Sequence, residues 1–230
     1  DYPAEALDVP SVGGSMGDYN LEAIVALQPD LVLLTELHSP ELVQSLEGLG
    51  LTVFYLGNPV VLEDLYTNIE TVGKLTGHED EAAALVADLT SRVSKVDELV
   101  AELNSFQEAQ AEAILTEAFA LYPVDVVAEE IIAPTLVEIG EGWHRGEVSV
   151  VQEHFATAFL RRRLTSLFDA YPQPSSGPLA ITGSAPSEWH DIGILMVSLA
   201  LRRHGWRVIY LGQNVPVEHL LREVRKLKPD

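Results

Sequence analysis

One histidine-centred motif lies between an apolar strand pattern and an apolar helix pattern. Glu188-Trp189-His190-Asp191-Ile192-Gly193 follows the short run Leu179 to Thr182, which predicts a buried strand. A histidine can bind a metal ion through one ring nitrogen, and a carboxylate two residues earlier can accept a hydrogen bond from the other. Gly193 leaves the helix start without a side chain, so a bulky group can pass close to the backbone. Taken alone, E-x-H-x-x-G is a weak signal, because an ordinary capped loop histidine gives the same pattern.

A second set of candidate side chains lies earlier in the chain. Trp143 and His144 are predicted just past the end of one helix, and Glu153 and His154 in the first turns of the next. The short connection Arg145 to Val148 brings all four side chains to one end of a helical bundle. Taken singly, the tryptophan could be a core aromatic and the histidines ordinary surface groups. Together, beside an apolar stripe, they suit a flat ligand that carries a metal.

These side chains depend on a predicted all-helical region from Val96 to Tyr171. Pro123 begins a helix that ends near Gly140 and Gly142, with apolar positions at Val126, Val127, Ile131, Leu136 and Ile139. Ser149 begins the next helix, and Gln152 completes an S-x-x-Q capping box. The stripe predicted to be buried consists of Val151, Phe155, Phe159, Leu160, Leu164 and Leu167. Three or four such helices form a small bundle.

The segment after the bundle has a β-α-β-α order. The segment Tyr171 to Gly177 has the composition of a linker. A strand is predicted after it at Leu179 to Thr182, followed by a helix at Asp191 to Arg203 that Gly205 stops. A second strand, Trp206 to Leu211, and a helix that begins at Pro216 complete the order. This order predicts a doubly wound parallel sheet, whose ligands bind at the carboxyl ends of the strands, where the E-x-H motif lies. The chain stops at Lys228-Pro229-Asp230, where the next strand is expected, so the predicted sheet is incomplete.

The first part of the chain also alternates strands and helices. Leu31 to Thr35 and Leu51 to Leu56 predict short buried strands. Asn20 is the expected N-cap of a helix before them, and Ser39-Pro40 opens a helix between them that closes around Gly48 and Gly50. A long helical pattern then runs from Glu79 towards Tyr122. The expected fold class is α/β with a helical bundle between two α/β parts.

Composition limits the kind of protein that this can be. The chain has 230 residues, 47% hydrophobic and 21% charged, which favours a folded protein over a disordered one. No apolar run is long enough to span a membrane, so no membrane insertion is expected. No signal peptide is visible at Asp1-Tyr2-Pro3, which leaves the compartment undecided. Because cysteine is absent, a metal must be held by His, Asp or Glu.

The charge argues against a nucleic-acid partner. The formal net charge is −21, and Lys74 is the only lysine or arginine before residue 91. This acidic surface would repel a polyphosphate backbone. The run Arg161-Arg162-Arg163 could be offered as a nucleic-acid patch, but three arginines on a helix usually form a solvated face.

The first ninety-five residues or so resemble the N-terminal lobe of the class III periplasmic solute-binding proteins, which carry vitamin B12 or iron–siderophores. The residues that carry the resemblance are Tyr2-Pro3-Ala4-Glu5, Val12-Gly13-Gly14, Leu21-Glu22-Ala23-Ile24, Leu27 to Val32 and Gly73 to Gly77. The opening strand of that lobe is missing before Asp1, and no second lobe follows the long helix. A clamp of two lobes is therefore not expected from this chain alone.

The region from Phe106 to Asp230 resembles the cobalamin-binding part of the light-sensing CarH-type transcriptional regulators. The matching residues are Glu138-Ile139-Gly140, Trp143, Gly146-Glu147 and Glu153-His154 in a W-x9-E-H pattern, then the E-x-H-x-x-G loop, Leu201-Arg202-Arg203 and Tyr210-Leu211-Gly212. The part of this region that begins with the E-x-H-x-x-G loop also resembles the cobalamin-binding domain of methionine synthase and of the corrinoid methyl carriers. The resemblance implies a cobalamin, as adenosylcobalamin or methylcobalamin, held between a helical cap and a Rossmann-like domain.

The resemblance also implies a role for each residue. His190 would be the lower axial ligand of cobalt, displacing the cofactor's own dimethylbenzimidazole, and Glu188 would hold its other nitrogen. Trp143 would cover the upper face against the adenosyl group, with Glu153 and His154 beside it. His144 would become an upper cobalt ligand once light has cleaved the cobalt–carbon bond. Trp189, Asp191, Ile192 and Gly193 would line the cofactor from the loop.

The sequence departs from those relatives in two ways. The S-x-L and Gly-Gly segments that line the nucleotide tail would come after Asp230, and a solute-binding-like lobe replaces the helix-turn-helix domain, so DNA binding is not inherited. We expect three parts: residues 1–95 as a partial solute-binding lobe, 96–172 as the cap and 173–230 as the start of the cobalamin-binding domain. We expect a cytoplasmic location, or a periplasmic or extracellular one if the lobe reflects a secreted ancestor.

The expected function is that of a sensor or carrier module without catalytic residues of its own, since chemistry at cobalt belongs to the cofactor. One alternative is a corrinoid methyl carrier that serves a separate methyltransferase, although His144 would compete with a methyl group. Another is a protein for corrinoid transport or storage. The native upper ligand stays open, as does the protein partner, either a second copy of the chain or a separate output protein.

Overall fold

A computed structural model describes residues 8–13 and 19–230 of the chain. The chain divides into two compact units, Asp1–Ala87 and Asp88–Asp230. Tyr2-Pro3-Ala4-Glu5 and Gly14, which contribute to the resemblance of the N-terminal part, lie outside the described residues. The predicted domain boundaries after residues 95 and 172 stay predictions.

The first unit is a small α/β lobe. Its elements are α1 (Leu21–Ala26), β1 (Val32–Thr35), α2 (Pro40–Gly48), β2 (Val53–Leu56) and α3 (Leu62–Thr76). The two strands pair in parallel, from Val32 opposite Val53 to Thr35 opposite Leu56. Both strands and the first two helices lie where the sequence predicts them, but the strands are not buried as expected, since Leu34 is the one residue of β1 and β2 that is buried. The bounds of α3 were not predicted.

The predicted helix starts of this lobe are confirmed by their caps. The side chain of Asn20 accepts a hydrogen bond from the N–H of Ala23, and that of Ser39 accepts one from Leu42. Each cap satisfies a backbone donor that has no partner within the helix. The core beneath is small, because its buried hydrophobic residues are Ile24, Leu34 and Leu46.

Helices make up the first part of the second unit. They are α4 (Glu79–Asn104, which begins in the first unit), α5 (Glu108–Leu121), α6 (Val124–Val127), a π-helical turn (Ala128–Ile132), α7 (Ala133–Arg145) and α8 (Val150–Ala170). The long helix predicted from Glu79 towards Tyr122 is therefore wrong in one respect. It breaks at Phe106, whose φ of 58° lies in the left-handed region.

The π turn and α7 form one helix that ends later than predicted. The end was expected near Gly140 and Gly142, but α7 continues to Gly146, whose φ of 77° closes it. Gly142 stays helical and packs closely on Val148, because an added Cβ would lie 2.8 Å from that side chain. Trp143 and His144 therefore belong to the last turn of α7, and not to the connection after it.

The capping box predicted at the start of α8 is confirmed. Ser149 and Gln152 each bond the other's backbone N–H, at 3.3 Å and 2.8 Å. Of the predicted buried stripe, Phe159, Leu160 and Leu164 are buried, and Phe155 and Leu167 are partly buried. Val151 is 63% exposed, so that part of the prediction is wrong. It lies in the first turn, before the buried part of α8 begins at Ala156.

The α/β part that follows has the predicted order. Its elements are β3 (Leu179–Thr182), α9 (Ile192–Arg203), β4 (Arg207–Tyr210) and α10 (Val217–Leu227). The strands pair in parallel, from Leu179 opposite Arg207 to Thr182 opposite Tyr210. The predicted fold class, an α/β protein with a helical bundle, is confirmed.

The bundle and this α/β part share one hydrophobic core. It joins Leu160 and Leu164 of α8 to Leu195 and Leu199 of α9 and Val208 of β4. Arg202 adds a link, because its guanidinium lies 3.4 Å from the centre of the Phe168 ring and donates to the Phe168 carbonyl. Among the described residues, no helix is long and apolar enough to cross a membrane.

Candidate functional site

A cavity of about 420 Å³ lies where α7, α8 and the loop before α9 meet. Eight of the ten predicted site residues line it: Trp143, His144, Glu153, His154, His190, Asp191, Ile192 and Gly193. The two others do not line it. Glu188 contacts the His190 ring, and Trp189 is 60% exposed. Two segments distant in sequence thus meet around one space.

The His190 ring is held from one side and free on the other. Its Nδ1 lies 2.7 Å from Oε1 of Glu188, and the His190 backbone N–H donates to the same oxygen at 2.7 Å. A carboxylate only accepts, so in the neutral imidazole Nδ1 carries the proton and Nε2 keeps its lone pair. The side chain is 96% exposed, so Nε2 is open to a ligand.

The hydrogen bonds of His190 also act on Glu188. The pKa of Glu188 is lowered, first by the bond from the His190 backbone N–H and next by the bond from its ring. The carboxylate therefore stays charged and stays an acceptor. This is the arrangement that fixes the tautomer and direction of a metal-binding histidine.

The loop that carries His190 is tied to the next loop of the sheet. The Glu188 carbonyl accepts from the N–H of Asn214, and the side chain of Asn214 accepts from the N–H of Ser187. The Ser184 hydroxyl donates to the His190 carbonyl at 3.2 Å. Asn214 and Ser184 are residues that the sequence did not single out, because their partners lie in another loop or across a turn.

On the helical side of the cavity, His144 has the same free nitrogen as His190. Its Nδ1 donates to the Gly140 carbonyl at 2.9 Å, which leaves Nε2 with its lone pair. The ring meets Trp143 edge to face, with ring centres 4.8 Å apart. Trp143 itself is 46% exposed, so an aromatic face is available for packing.

Glu153 and His154 form a pair on the first turns of α8. Oε1 of Glu153 accepts from Thr157 at 2.7 Å, and Oε2 lies 2.5 Å from Nδ1 of His154. Partial burial raises the pKa of Glu153, but the bonds from Thr157 and His154 outweigh it, so the pKa is lowered overall. His190, when protonated, also contributes to the lowering, which couples the two sides of the cavity electrostatically.

Asp191 differs from the three exposed residues before it because it is buried. It is 5% exposed, and its carboxylate lies 2.7 Å from the Arg161 guanidinium of α8 and 3.0 Å from the Tyr210 hydroxyl. Burial and the bond to Asp191 raise the pKa of Tyr210 to about 12. Arg161 also lines the cavity. The sequence did not connect it to the site, because thirty positions separate it from its partner.

The donor set favours a metal that brings most of its own ligands. Within residues 8–13 and 19–230, no three His, Asp or Glu side chains converge as a bare metal ion would require. The cavity offers instead the free imidazole nitrogens of His190 and His144. Single imidazole nitrogens on two separate segments would suit a metal already held in a planar macrocycle.

A larger cavity of about 640 Å³ lies between the π turn and α9, and of the predicted residues only Gly193 lines it. Its walls are mostly apolar, including Met196, Val197 and Ala200, with His204 and Trp206 among them. The smaller cavity therefore carries the candidate chemistry.

Family models match the chain in three stretches. A model described as periplasmic binding protein matches residues 1–121, and two models described as B12 binding domain match residues 95–167 and 178–230. The chain belongs to the periplasmic binding protein family. The B12-binding domains of this family member cover both sides of the cavity, since α7 and α8 lie in the first match and the His190 loop in the second. The predicted recognition is confirmed.

Relatives of this periplasmic binding protein family member include regulators and corrinoid proteins. The HTH-type transcriptional repressor CarH of Myxococcus xanthus is 37% identical over 136 residues, which cover 58% of this chain and 44% of that protein. The cobalamin-binding protein of Halobacterium salinarum is 33% identical over 93 residues, 40% of this chain and 25% of that protein. The chain thus spans less than half the length of these curated relatives.

A solved structure shares the fold. The monomethylamine corrinoid protein of Methanosarcina barkeri aligns with a TM-score of 0.51 at 22% identity, covering 59% of this chain and 65% of that protein. At this identity the likeness concerns the architecture alone. It agrees with a helical bundle followed by a parallel sheet.

Proposed function

We propose that this chain binds a cobalamin between α7–α8 and the His190 loop, with His190 as the lower axial ligand of cobalt. One observation carries the proposal. The Nε2 of His190 is free while Glu188 fixes Nδ1, and the ring lines the same cavity as Trp143 and His144. The two B12-binding domains, which lie on either side of that cavity, support it.

The residues around the cavity fit such a group. Its volume of about 420 Å³ is within the range of small-molecule sites, and it is lined by His190 from the loop and by Trp143 and His144 from the bundle. When bound, cobalamin supplies cobalt with all equatorial nitrogens and a cobalt–carbon bond, so the protein need add only axial ligands. His190 would hold the cofactor base-off and His-on, because an imidazole at cobalt replaces the dimethylbenzimidazole.

Above the plane, the side chains of α7 and α8 favour adenosylcobalamin. Trp143 offers an aromatic face, and the Glu153 carboxylate is charged and can accept hydrogen bonds from sugar hydroxyls. His144 is oriented by Gly140 and keeps its Nε2 free, so it can bind cobalt when the upper position opens. This pairing favours a light-responsive sensor over a passive carrier.

A transport or storage role is the second candidate, and one observation favours it. The periplasmic binding protein model matches residues 1–121, and such a lobe contributes to ligand carriage in its own family. The methyl-carrier alternative is less favoured, since His144 would compete with a methyl group. The net charge of −21 opposes a nucleic-acid partner. The protein partner would be a second copy or a separate output protein.

Spectral titration tests the proposal. The protein would be titrated with adenosylcobalamin, methylcobalamin and hydroxocobalamin in darkness, and the spectrum compared with that of the His190→Ala variant. We expect a His-on spectrum that the variant loses. If neither protein alters the spectrum of any cobalamin, the proposed function is wrong. If both bind with the same spectrum, His190 is not the ligand.

A further inference from the structure

The three successive arginines of α8 are not equivalent. Arg162 pairs with Glu108 at 2.9 Å and Arg163 with Glu112 at 3.0 Å, and both carboxylates belong to α5 in the bundle. Arg161 instead reaches Asp191 at the start of α9, at 2.7 Å. The run therefore meets acidic partners within the protein, and one member points out of the bundle to the loop that holds His190.

The Arg161–Asp191 pair is also the one whose carboxylate is buried. The side chain of Asp191 is 6% exposed, against 58% for Glu108 and 43% for Glu112. A buried carboxylate that loses its cationic partner is left with an uncompensated charge, whereas a surface pair contributes little. Asp191 thus depends on Arg161 far more than the α5 glutamates depend on their arginines.

Asp191 is the residue next to His190 and is held from three elements. Arg161 approaches from α8 and the Tyr210 hydroxyl from the end of β4, while the Asp191 carbonyl accepts the N–H of Leu195 in the first turn of α9. The high pKa of Tyr210 keeps that hydroxyl a donor. A residue fixed in this way limits where the adjoining histidine can lie.

We propose that Arg161 is a positioning residue: through Asp191 it fixes the His190 loop against the helical side of the cavity. Glu188 sets the direction of the ring, and Arg161 sets the distance between the loop and the helical bundle that carries Trp143 and His144. Without this pair, the loop would open locally. The consequence at cobalt rests on the proposed function, but the effect on the loop exists in the protein without cofactor.

Two measurements on matched variants test this proposal. Arg161→Gln removes the buried pair, Arg162→Gln removes its exposed neighbour as a control, and Arg161→Lys restores the charge. The first measurement is amide hydrogen exchange of residues 184–195 in the cofactor-free protein. We expect exchange to be about tenfold faster in Arg161→Gln, the equivalent of about 1.4 kcal/mol of local opening. Arg162→Gln should match the native protein, and Arg161→Lys should recover most of the protection.

The second measurement uses cobinamide, a corrinoid without the dimethylbenzimidazole base. In its cobalt(II) form, nitrogen splitting in the electron paramagnetic resonance spectrum reports an imidazole from the protein. We expect that splitting in the native protein and in Arg162→Gln, and its partial loss in Arg161→Gln. If Arg161→Gln does not fold, amide hydrogen exchange is compared between Arg161→Lys and Arg162→Gln. Weaker protection of residues 184–195 in Arg162→Gln then overturns the proposal.

The outcomes separate this proposal from the proposed function. Equal exchange in Arg161→Gln and Arg162→Gln overturns the positioning role, whatever binds. Faster exchange in Arg161→Gln alone supports it, even if the native protein shows no nitrogen splitting. An absence of nitrogen splitting in the native protein would show that His190 is not the cobalt ligand, while the role of Arg161 in positioning the loop would still be supported.

Discussion

Nδ1 of His190 donates to the carboxylate of Glu188 at 2.7 Å, and the two residues share one loop. The contact is local, so it forms before any ligand is present and does not depend on the rest of the cavity. Cofactor binding then need not pay for orienting the ring. This preorganisation is the physical basis of the first prediction.

Replacing His190 with Ala should lower cobalamin affinity about 10- to 100-fold, by analogy with lost metal-shell contacts. The dark spectrum should shift to a base-off form without imidazole. His219→Ala is the control, since His219 is exposed on α10 outside the cavity. The measurement is spectral titration of both variants, and equal affinities would remove His190 from the site.

Replacing Gly193 with Leu should separate folding from binding. An added Cβ at this position meets no atom within 4 Å, so the fold should tolerate it. Helix propensity should even favour Leu by up to about 0.8 kcal/mol. Because Gly193 lines the cavity, the side chain should block the cofactor and lower affinity at least about tenfold. Thermal unfolding checks that the fold tolerates the change, and cobalamin titration checks the loss of affinity. Unchanged affinity would place the cofactor elsewhere.

Replacing His144 with Ala should change the response to light. After illumination of the adenosylcobalamin complex, the free Nε2 of His144 is expected to bind cobalt opposite His190, a population shift driven by a bond present in one state only. His204→Ala is a geometric control, because its Nδ1 also donates to the carbonyl four residues earlier, that of Ala200. Identical spectra after light in the native protein and His144→Ala would favour the carrier role.

Tyr210 should ionise late when pH is raised. Its pKa in the folded protein is about 12, above the ordinary value of 10.0, so its contribution to stability is complete below pH 10 and is lost as pH rises towards 12. Asp191→Asn should bring the pKa down towards the ordinary value. Ultraviolet titration of the tyrosines checks this, because the absorbance change that occurs near pH 12 should be missing in Tyr210→Phe. If that absorbance change is still present in Tyr210→Phe, it belongs to another tyrosine.

A chain that begins at Asp88 should keep cobalamin affinity within about threefold, about 0.7 kcal/mol. All residues that line the cavity lie after that point. The cut must not fall after residue 95, where the sequence predicts the boundary, because Lys95 pairs with Glu117 at 2.9 Å and Arg92 pairs with Glu130. If the folded shorter chain loses binding, the first unit contributes to the site.

Local signals in the sequence predicted local structure well. The capping box of Ser149 and Gln152, the cap at Asn20 and the strand Leu179–Thr182 lie as expected, since neighbouring residues determine each of them. The Glu188 contact with His190 was predicted for the same reason. The α/β class followed from the order of these elements.

The errors have longer-range causes. Gly140 and Gly142 gave the signal for a helix end, but Val148 packs on Gly142 within a continuous helix and the left-handed residue is Gly146. The break at Phe106 carries no glycine or proline to mark it. The Arg161–Asp191 pair joins residues thirty positions apart, so only the packed structure reveals it.

The π-helical turn at Ala128–Ile132 sets the angular phase of everything after it in the same helix. A π turn accommodates one residue more than an α turn, and each residue advances the helix by about 100°. Had the helix been α throughout with the same residues, Trp143 and His144 would point about 100° away from their present direction. The direction of the aromatic face is thus determined by a backbone irregularity three turns upstream, and deleting one residue there would let the turn become regular α while keeping the pair directed at the cavity.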